Sequence, residues 1–132
     1  MFNLNLLLVF SDWAIFLLRL VVGIVFLVHG FSKLTALKAT WKNFDAKGVK
    51  PGWFWGTIMA ILETAGGLLL VLGLWVQILA LLLGVQKIAV TLWKIIKGYK
   101  FVSGYELDLL LIAAVLILAT IGGGLFSLQI LF

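Results

Sequence analysis

The chain has no cysteine. That removes disulfides, thiol chemistry and cysteine-held iron–sulfur clusters from consideration. It has one histidine, His29, too few for a metal site that normally takes three or four side chains, and no metal is expected. Its one proline, Pro51, falls in a predicted loop. Charge is scarce as well: 11% of the 132 residues, against roughly a quarter in ordinary soluble domains. So few charges cannot cover a water-facing shell.

What is abundant is apolar surface: 64% of the residues are hydrophobic and the mean hydropathy is +1.26. Lipid is therefore the expected solvent, and backbone groups in lipid must bond within helices or a closed barrel. A barrel would alternate apolar and polar residues in segments of about ten. Long unbroken apolar runs point to helices. Four runs approach the roughly 20 residues needed to cross a bilayer: about 13–30, 53–74, 76–93 and 107–125. The fold class is all-α, a polytopic membrane protein with a four-transmembrane-helix bundle, and residues 1–132 form one membrane domain. Residues 1–12 are expected as an interfacial segment or an extension of the first helix.

The basic residues are unevenly placed. Lys33, Lys38, Lys42, Lys47 and Lys50 lie in 31–52, and Lys94, Lys97 and Lys100 lie in 94–104. The positive-inside rule puts both connections in the cytoplasm and both termini outside, in a prokaryotic cytoplasmic membrane. No nucleic-acid partner is expected. In the first connection Leu34, Leu37 and Trp41 recur at helical spacing. That segment reads either as an amphipathic turn on the headgroups or as a solvated loop. Trp13, Trp53, Trp55, Trp75 and Trp93 fall near span ends, where such rings favour the interface.

Ionisable groups within spans are costly and face the bundle interior or water. Glu63 lies mid-span on a face with Gly56, Ala60 and Gly67; it reads as buried, either ionised and paired or protonated. Arg19 shares a face with Gly23, Phe26 and Gly30. Counted from the cytoplasmic span ends it has the depth of Glu63, so an Arg19–Glu63 ion pair is expected, with outward snorkelling of Arg19 as the alternative. Lys87 lies with Gln77, Ala80, Gly84 and Thr91, facing other helices or snorkelling to the headgroups. Gln86 has no evident partner. His29, Glu106 and Asp108 share the depth of the cytoplasmic ends. Glu106 and Asp108 point about 200° apart on a helix. Glu106, in line with Ala113, Thr120 and Gly124, is the one expected to face the bundle, with Tyr105 and near His29. A lone His at a span end is more often an interfacial hydrogen-bonding residue than a ligand or proton carrier, and His29 reads first as that.

The same residues resemble the DoxX family of small four-helix membrane proteins. The first span carries Arg19, Gly23, Phe26, His29-Gly30 and Lys33-Leu34. The second carries Glu63-Thr-Ala-Gly66-Gly67 and then Leu72-Gly73-Leu74. The last opens with Gly104-Tyr105-Glu106 and closes with Gly122-Gly-Gly124 and Ser127-Leu128. Two positions depart from the family's pattern: Gln129 stands where an aspartate is common, and Lys94 where a histidine is common. The resemblance implies a link to membrane redox systems, some relatives being similar to a subunit of thiosulfate:quinone oxidoreductase. It implies a subunit or accessory of a quinone-linked oxidoreductase, with quinone and an oxidoreductase subunit as partners beside the lipid bilayer, and a homo-oligomer as a further possibility. A small transporter or channel, and a structural or assembly protein, are the alternatives. The candidate polar cluster is Arg19, His29, Glu63, Lys87, Tyr105 and Glu106. With no redox centre of its own, the chain would take electrons from a partner or from quinone directly.

The lysine asymmetry has a direct test. Cysteines introduced at Lys42 and Lys97 should both resist an impermeant thiol reagent in intact cells. Labelling of both would reverse the orientation.

Overall fold

The computed structural model describes residues 4–122. A 3-10 helix, Leu4–Phe10, leads into α1 (Ser11–Thr35). Then follow α2 (Leu37–Ala46), α3 (Gly52–Leu72), α4 (Val76–Ile96), a π turn (Phe101–Tyr105) and α5 (Glu106–Ile121). No strand occurs among the described residues. Four stretches are long and apolar enough to cross a membrane: Leu7–Thr35, Gly52–Leu72, Val76–Ile96 and Phe101–Ile121. The expected end of the last span at Leu125, and Gly123, Gly124, Ser127, Leu128 and Gln129, lie outside the described residues.

The helices form a ring in which α1 packs on α3, α3 on α4 and α4 on α5, and α5 returns to α1. Val22 and Phe26, Leu70, Leu79 and Leu83, and Leu111, Val115 and Leu118 fill its centre. The outward faces are equally apolar, with Leu17, Ile24, Ile61, Leu68, Leu82, Val85 and Leu110 exposed. An apolar exterior around an apolar core is what a lipid solvent permits. Packing geometry, rather than expulsion from water, must then decide which faces meet.

Glycine makes that decision between α1 and α3. A side chain on Gly67 would collide with the Leu27 backbone and lie 2.6 Å from the Gly23 carbonyl oxygen. One on Gly23 would lie 2.7 Å from Val71 and 2.8 Å from the Gly67 oxygen. One on Gly30 would collide with Thr64 and crowd Glu63. The two helices therefore run antiparallel at backbone contact, with Gly23 level with Val71 and Gly30 level with Glu63 and Thr64.

The segment after α1 is helical, as the spacing of Leu34, Leu37 and Trp41 predicts, rather than a solvated loop, and α2 folds back onto the start of α3. Thr40 is buried and its hydroxyl is shared between the carbonyls of Lys33 and Ala36, tying the start of α2 to the end of α1. Trp41 Nε1 donates to Thr57 Oγ1 at 2.9 Å, and Gly56 lets the Trp41 and Thr40 side chains approach. Asp45 Oδ1 accepts from the Gly52 N–H at 2.8 Å, satisfying a free donor at the start of α3 with a charge of favourable sign. At the other end of α3, Gly73 turns left-handed (φ 81°). The Gly73 and Leu74 N–H groups bond back to Leu69, so the chain reverses into α4 within three residues.

Backbone contact between α1 and α3 leaves no room for a methyl group. Gly67→Ala should lower thermal stability by roughly 1–3 kcal/mol. Gly84→Ala, whose new carbon would meet only Val115 at 3.3 Å, should cost clearly less. Equal losses on detergent thermal melts would contradict the contact.

Candidate functional site

At the lysine-rich end of the bundle the ends of α1 and α4, the start of α3 and α5, and α2 enclose a cavity of about 520 Å³. Its inner end is built around Glu63, which is fully buried. Because Gly30 fixes the end of α1 beside Glu63, Lys33, almost one turn further on, reaches the carboxylate. Its Nζ lies 2.7 Å from Glu63 Oε1. Gln86 on α4 donates to the same oxygen at 2.5 Å. One oxygen thus joins α1, α3 and α4. Glu63 Oε2 and the Gln86 carbonyl oxygen are buried and accept no hydrogen bond from the described residues.

A second carboxylate faces the first across the cavity. Asp108 on α5 is buried; its Oδ2 lies 2.7 Å from Lys94 Nζ and its Oδ1 3.5 Å from Lys87 Nζ. Lys94 also donates to the Gly104 carbonyl at 3.3 Å. The Lys87 ammonium lies 5.5 Å from the Phe26 ring centre, a contact between the cation and the ring's negative face. Gln86 and Lys87 are neighbours on α4, so adjacent residues serve the two carboxylates.

Nearer the mouth, Phe44, Trp55, Met59 and Trp93 supply apolar wall. Lys47, just past α2, holds its ammonium 5.5 Å from the Trp93 ring centre. Burial, with the like charges of Lys33 and Lys94 beside it, pushes the Lys47 amine below the ordinary lysine range.

The expected cluster is only partly assembled. Glu63 and Lys87 line the cavity, Lys87 facing inward rather than snorkelling. The Arg19–Glu63 pair does not form. Arg19 is buried four residues before Gly23, level with the far end of α3, eleven residues or about 16 Å from Gly30 and hence from Glu63. Its guanidinium stands 5.2 Å from the Phe16 ring centre. The depth estimate failed because α1 continues to Thr35, so Gly30 meets the middle of α3 and not its start. Glu106 does not face the bundle: it is half-buried and accepts the Ser103 N–H at 3.1 Å, closing the turn before α5. Asp108, which points the other way, is the carboxylate inside. Tyr105 packs its ring against Phe101, centres 5.5 Å apart. His29 borders the cavity but is exposed; its Nδ1 donates to the Val25 carbonyl at 2.7 Å, and it makes no ion pair with Glu106. Sequence reasoning passed over Lys33, Lys47, Gln86, Lys94 and Asp108. The available signal was Lys33, one helical turn beyond a span glycine. Among the described residues no three His, Cys, Asp or Glu side chains converge as metal ligands.

Removing one partner of a buried pair strands the other charge. Lys33→Met and Glu63→Leu should each destabilise the protein by roughly 3 kcal/mol. The double variant should lose much less than their sum, whereas Arg19→Leu with Glu63→Leu should be additive. Asp108→Asn should lower the melting temperature more than Glu106→Gln. The reverse order would place the wrong carboxylate inside.

A protein of Bacillus subtilis (strain 168) named "Putative oxidoreductase CatD" is 31% identical over 113 residues, covering 86% of this chain and 82% of that protein. No solved structure matches. The DoxX family profile matches residues 14–96, which takes in α2 and α3 whole, nearly all of α1, and α4 with Glu63, Lys33, Gln86, Lys87 and Lys94. On that match, the chain belongs to the DoxX family.

Proposed function

We propose that this chain is the membrane subunit of a quinone-linked oxidoreductase in a prokaryotic cytoplasmic membrane, with its cavity receiving the quinone ring. The observation that carries this reading is Glu63: a carboxylate buried at the inner end of an apolar-walled cavity, held through one oxygen by Lys33 and Gln86, with its other oxygen accepting nothing from the described residues. A volume of about 520 Å³ lies in the range of small-molecule sites, roughly 300–1,000 Å³. Aromatic and aliphatic walls suit a planar ring. Ammonium groups suit its carbonyl oxygens as donors, and a buried carboxylate suits the proton that accompanies electron transfer.

When bound, a quinone supplies the two-electron, two-proton chemistry that this chain lacks. With no cysteine and one histidine, the electrons come from a partner oxidoreductase subunit. This chain's own part is positioning and proton handling. Lys33 and Gln86 hold the Glu63 carboxylate in place, and its free oxygen is the atom that takes or gives a proton at the ring. The family and the name of the Bacillus subtilis relative support a redox role.

A second reading has its own observation: Glu63 cross-links three helices and Asp108 braces α4 against α5, as a purely structural or assembly protein also requires. Glu63→Gln separates the two, because glutamine keeps the shape and can still hydrogen-bond but cannot carry the proton. Protein purified from native membranes should contain extractable quinone and retain an oxidoreductase partner. Glu63→Gln should keep the partner but slow quinone-coupled turnover by about 10²-fold or more. A well-folded wild-type preparation that holds no quinone and does not respond to added quinone would favour the structural role.

A further inference from the structure

Lysine outnumbers carboxylate in the cavity wall, where Lys33, Lys47, Lys87 and Lys94 meet only Glu63 and Asp108. The two carboxylates are engaged by Lys33, Lys87 and Lys94 at 2.7–3.5 Å. Lys47 has no carboxylate within ion-pair distance among the described residues. Its neighbour in sequence, Asp45, is committed to the Gly52 N–H. What Lys47 does face is the Trp93 ring and two more cations, Lys33 and Lys94. Like charges gathered beside low-dielectric walls repel strongly and raise the local concentration of a counter-ion.

We propose that Lys47, with Lys33 and Lys94 beside it, forms a binding site at the cavity mouth for an oxyanion of the phosphate class. An ammonium has three N–H donors. Lys33 and Lys94 each spend a donor on a carboxylate, while Lys47 spends none of its own on one. Three such point donors arriving from α1, the end of α2 and α4 suit a compact group with several oxygens. The environment of the Lys47 amine supports the assignment: an anion seated there relieves the repulsion from Lys33 and Lys94.

Two sources carry this chemistry. Trp55 and Trp93 flank the mouth at the end of the bundle where aromatic side chains meet headgroups. Basic pockets between membrane helices at that level take the phosphate of anionic lipids. A free oxyanion entering from the aqueous side would meet the same three lysines. The site shares Lys33 with the Glu63 ion pair but centres on Lys47, which makes no ion pair with Glu63. It goes beyond the quinone reading and does not rest on it.

The test uses the full chain in nanodiscs, with thermal melting as the readout, since a ligand that binds the folded state raises the melting temperature. In one arm phosphatidylglycerol replaces part of a phosphatidylcholine bilayer. In the other, inorganic phosphate is titrated against chloride at equal ionic strength in pure phosphatidylcholine. The site predicts stabilisation in at least one arm, and the arm that responds identifies the source. Lys47→Gln should weaken the apparent affinity about tenfold or more, as loss of a charge-assisted contact does. Lys47→Arg should retain binding. Lys38→Gln, on the exposed side of α2, should leave it unchanged. Glu63→Gln, which is expected to slow quinone-coupled turnover, should leave anion binding intact or strengthen it, so the two readings fail separately. No stabilisation of the wild type in either arm overturns the site. So does an equal loss in Lys38→Gln and Lys47→Gln, which would mean diffuse surface attraction.

Discussion

Backbone contact between α1 and α3 sets the register on which the polar interior depends. In lipid, apolar side chains gain nothing by leaving the solvent, so helices are selected by how closely they fit. Gly23, Gly30 and Gly67 bring backbone within contact of the facing helix along that seam. The contact is so close that a shift of one turn would place a glycine against a bulky side chain. With Gly30 locked beside Glu63, the next turn of α1 can deliver only Lys33 to the carboxylate. A pairing choice that looks electrostatic is thus made by packing, and Arg19, equally charged, is held at the other end of the molecule.

Around that fixed pair the remaining charges follow from the chemistry of burial. A carboxylate in a low-dielectric interior needs a cation and further donors to offset its lost hydration. Glu63 finds both, one on α1 and one on α4. Asp108 finds two lysines, both on α4, and Lys87 adds the Phe26 ring across the bundle. Lys94 stands where the DoxX pattern often has histidine, and its longer, flexible stem spans from the end of α4 to Asp108. The polar groups therefore tie together helices that glycine contacts do not. The bundle closes at this end by charge and at the other by Leu79, Leu118 and the Gln77 amide, which donates to the last carbonyls of α5.

Much of the fold was legible because its signals are long and redundant. Four apolar runs, tryptophans near their ends and lysines between them specify spans and turns with little competition. The cluster was harder because depth within a span cannot be counted from sequence when helix lengths differ. Treating Gly30 as the end of the first helix shifted Arg19 by the turn and more that runs on to Thr35, and matched it to Glu63 wrongly. Choosing Glu106 over Asp108 failed for a related reason. Small residues aligned with Glu106 suggested an inward face, but the turn at Ser103, whose φ is +61°, needed a carboxylate to accept its N–H. Local capping claimed Glu106, and the opposite face of α5 turned inward. Lys33 was visible as part of a family pattern yet read as a loop residue, because a lysine near a span end is usually solvated.

The two ends also differ in what their cations can do. Arginine stays protonated under all ordinary conditions, so Arg19 can contribute only a fixed charge. The cavity instead gathers Lys33, Lys47, Lys87 and Lys94 around Glu63 and Asp108, compact ammonium groups on flexible stems that reach inward from several helices. Lys33 and Lys94 each hold an interior carboxylate and also line the cavity with Lys47, so the packing that sets α1 and α4 fixes both carboxylates and the arrangement of cations around them.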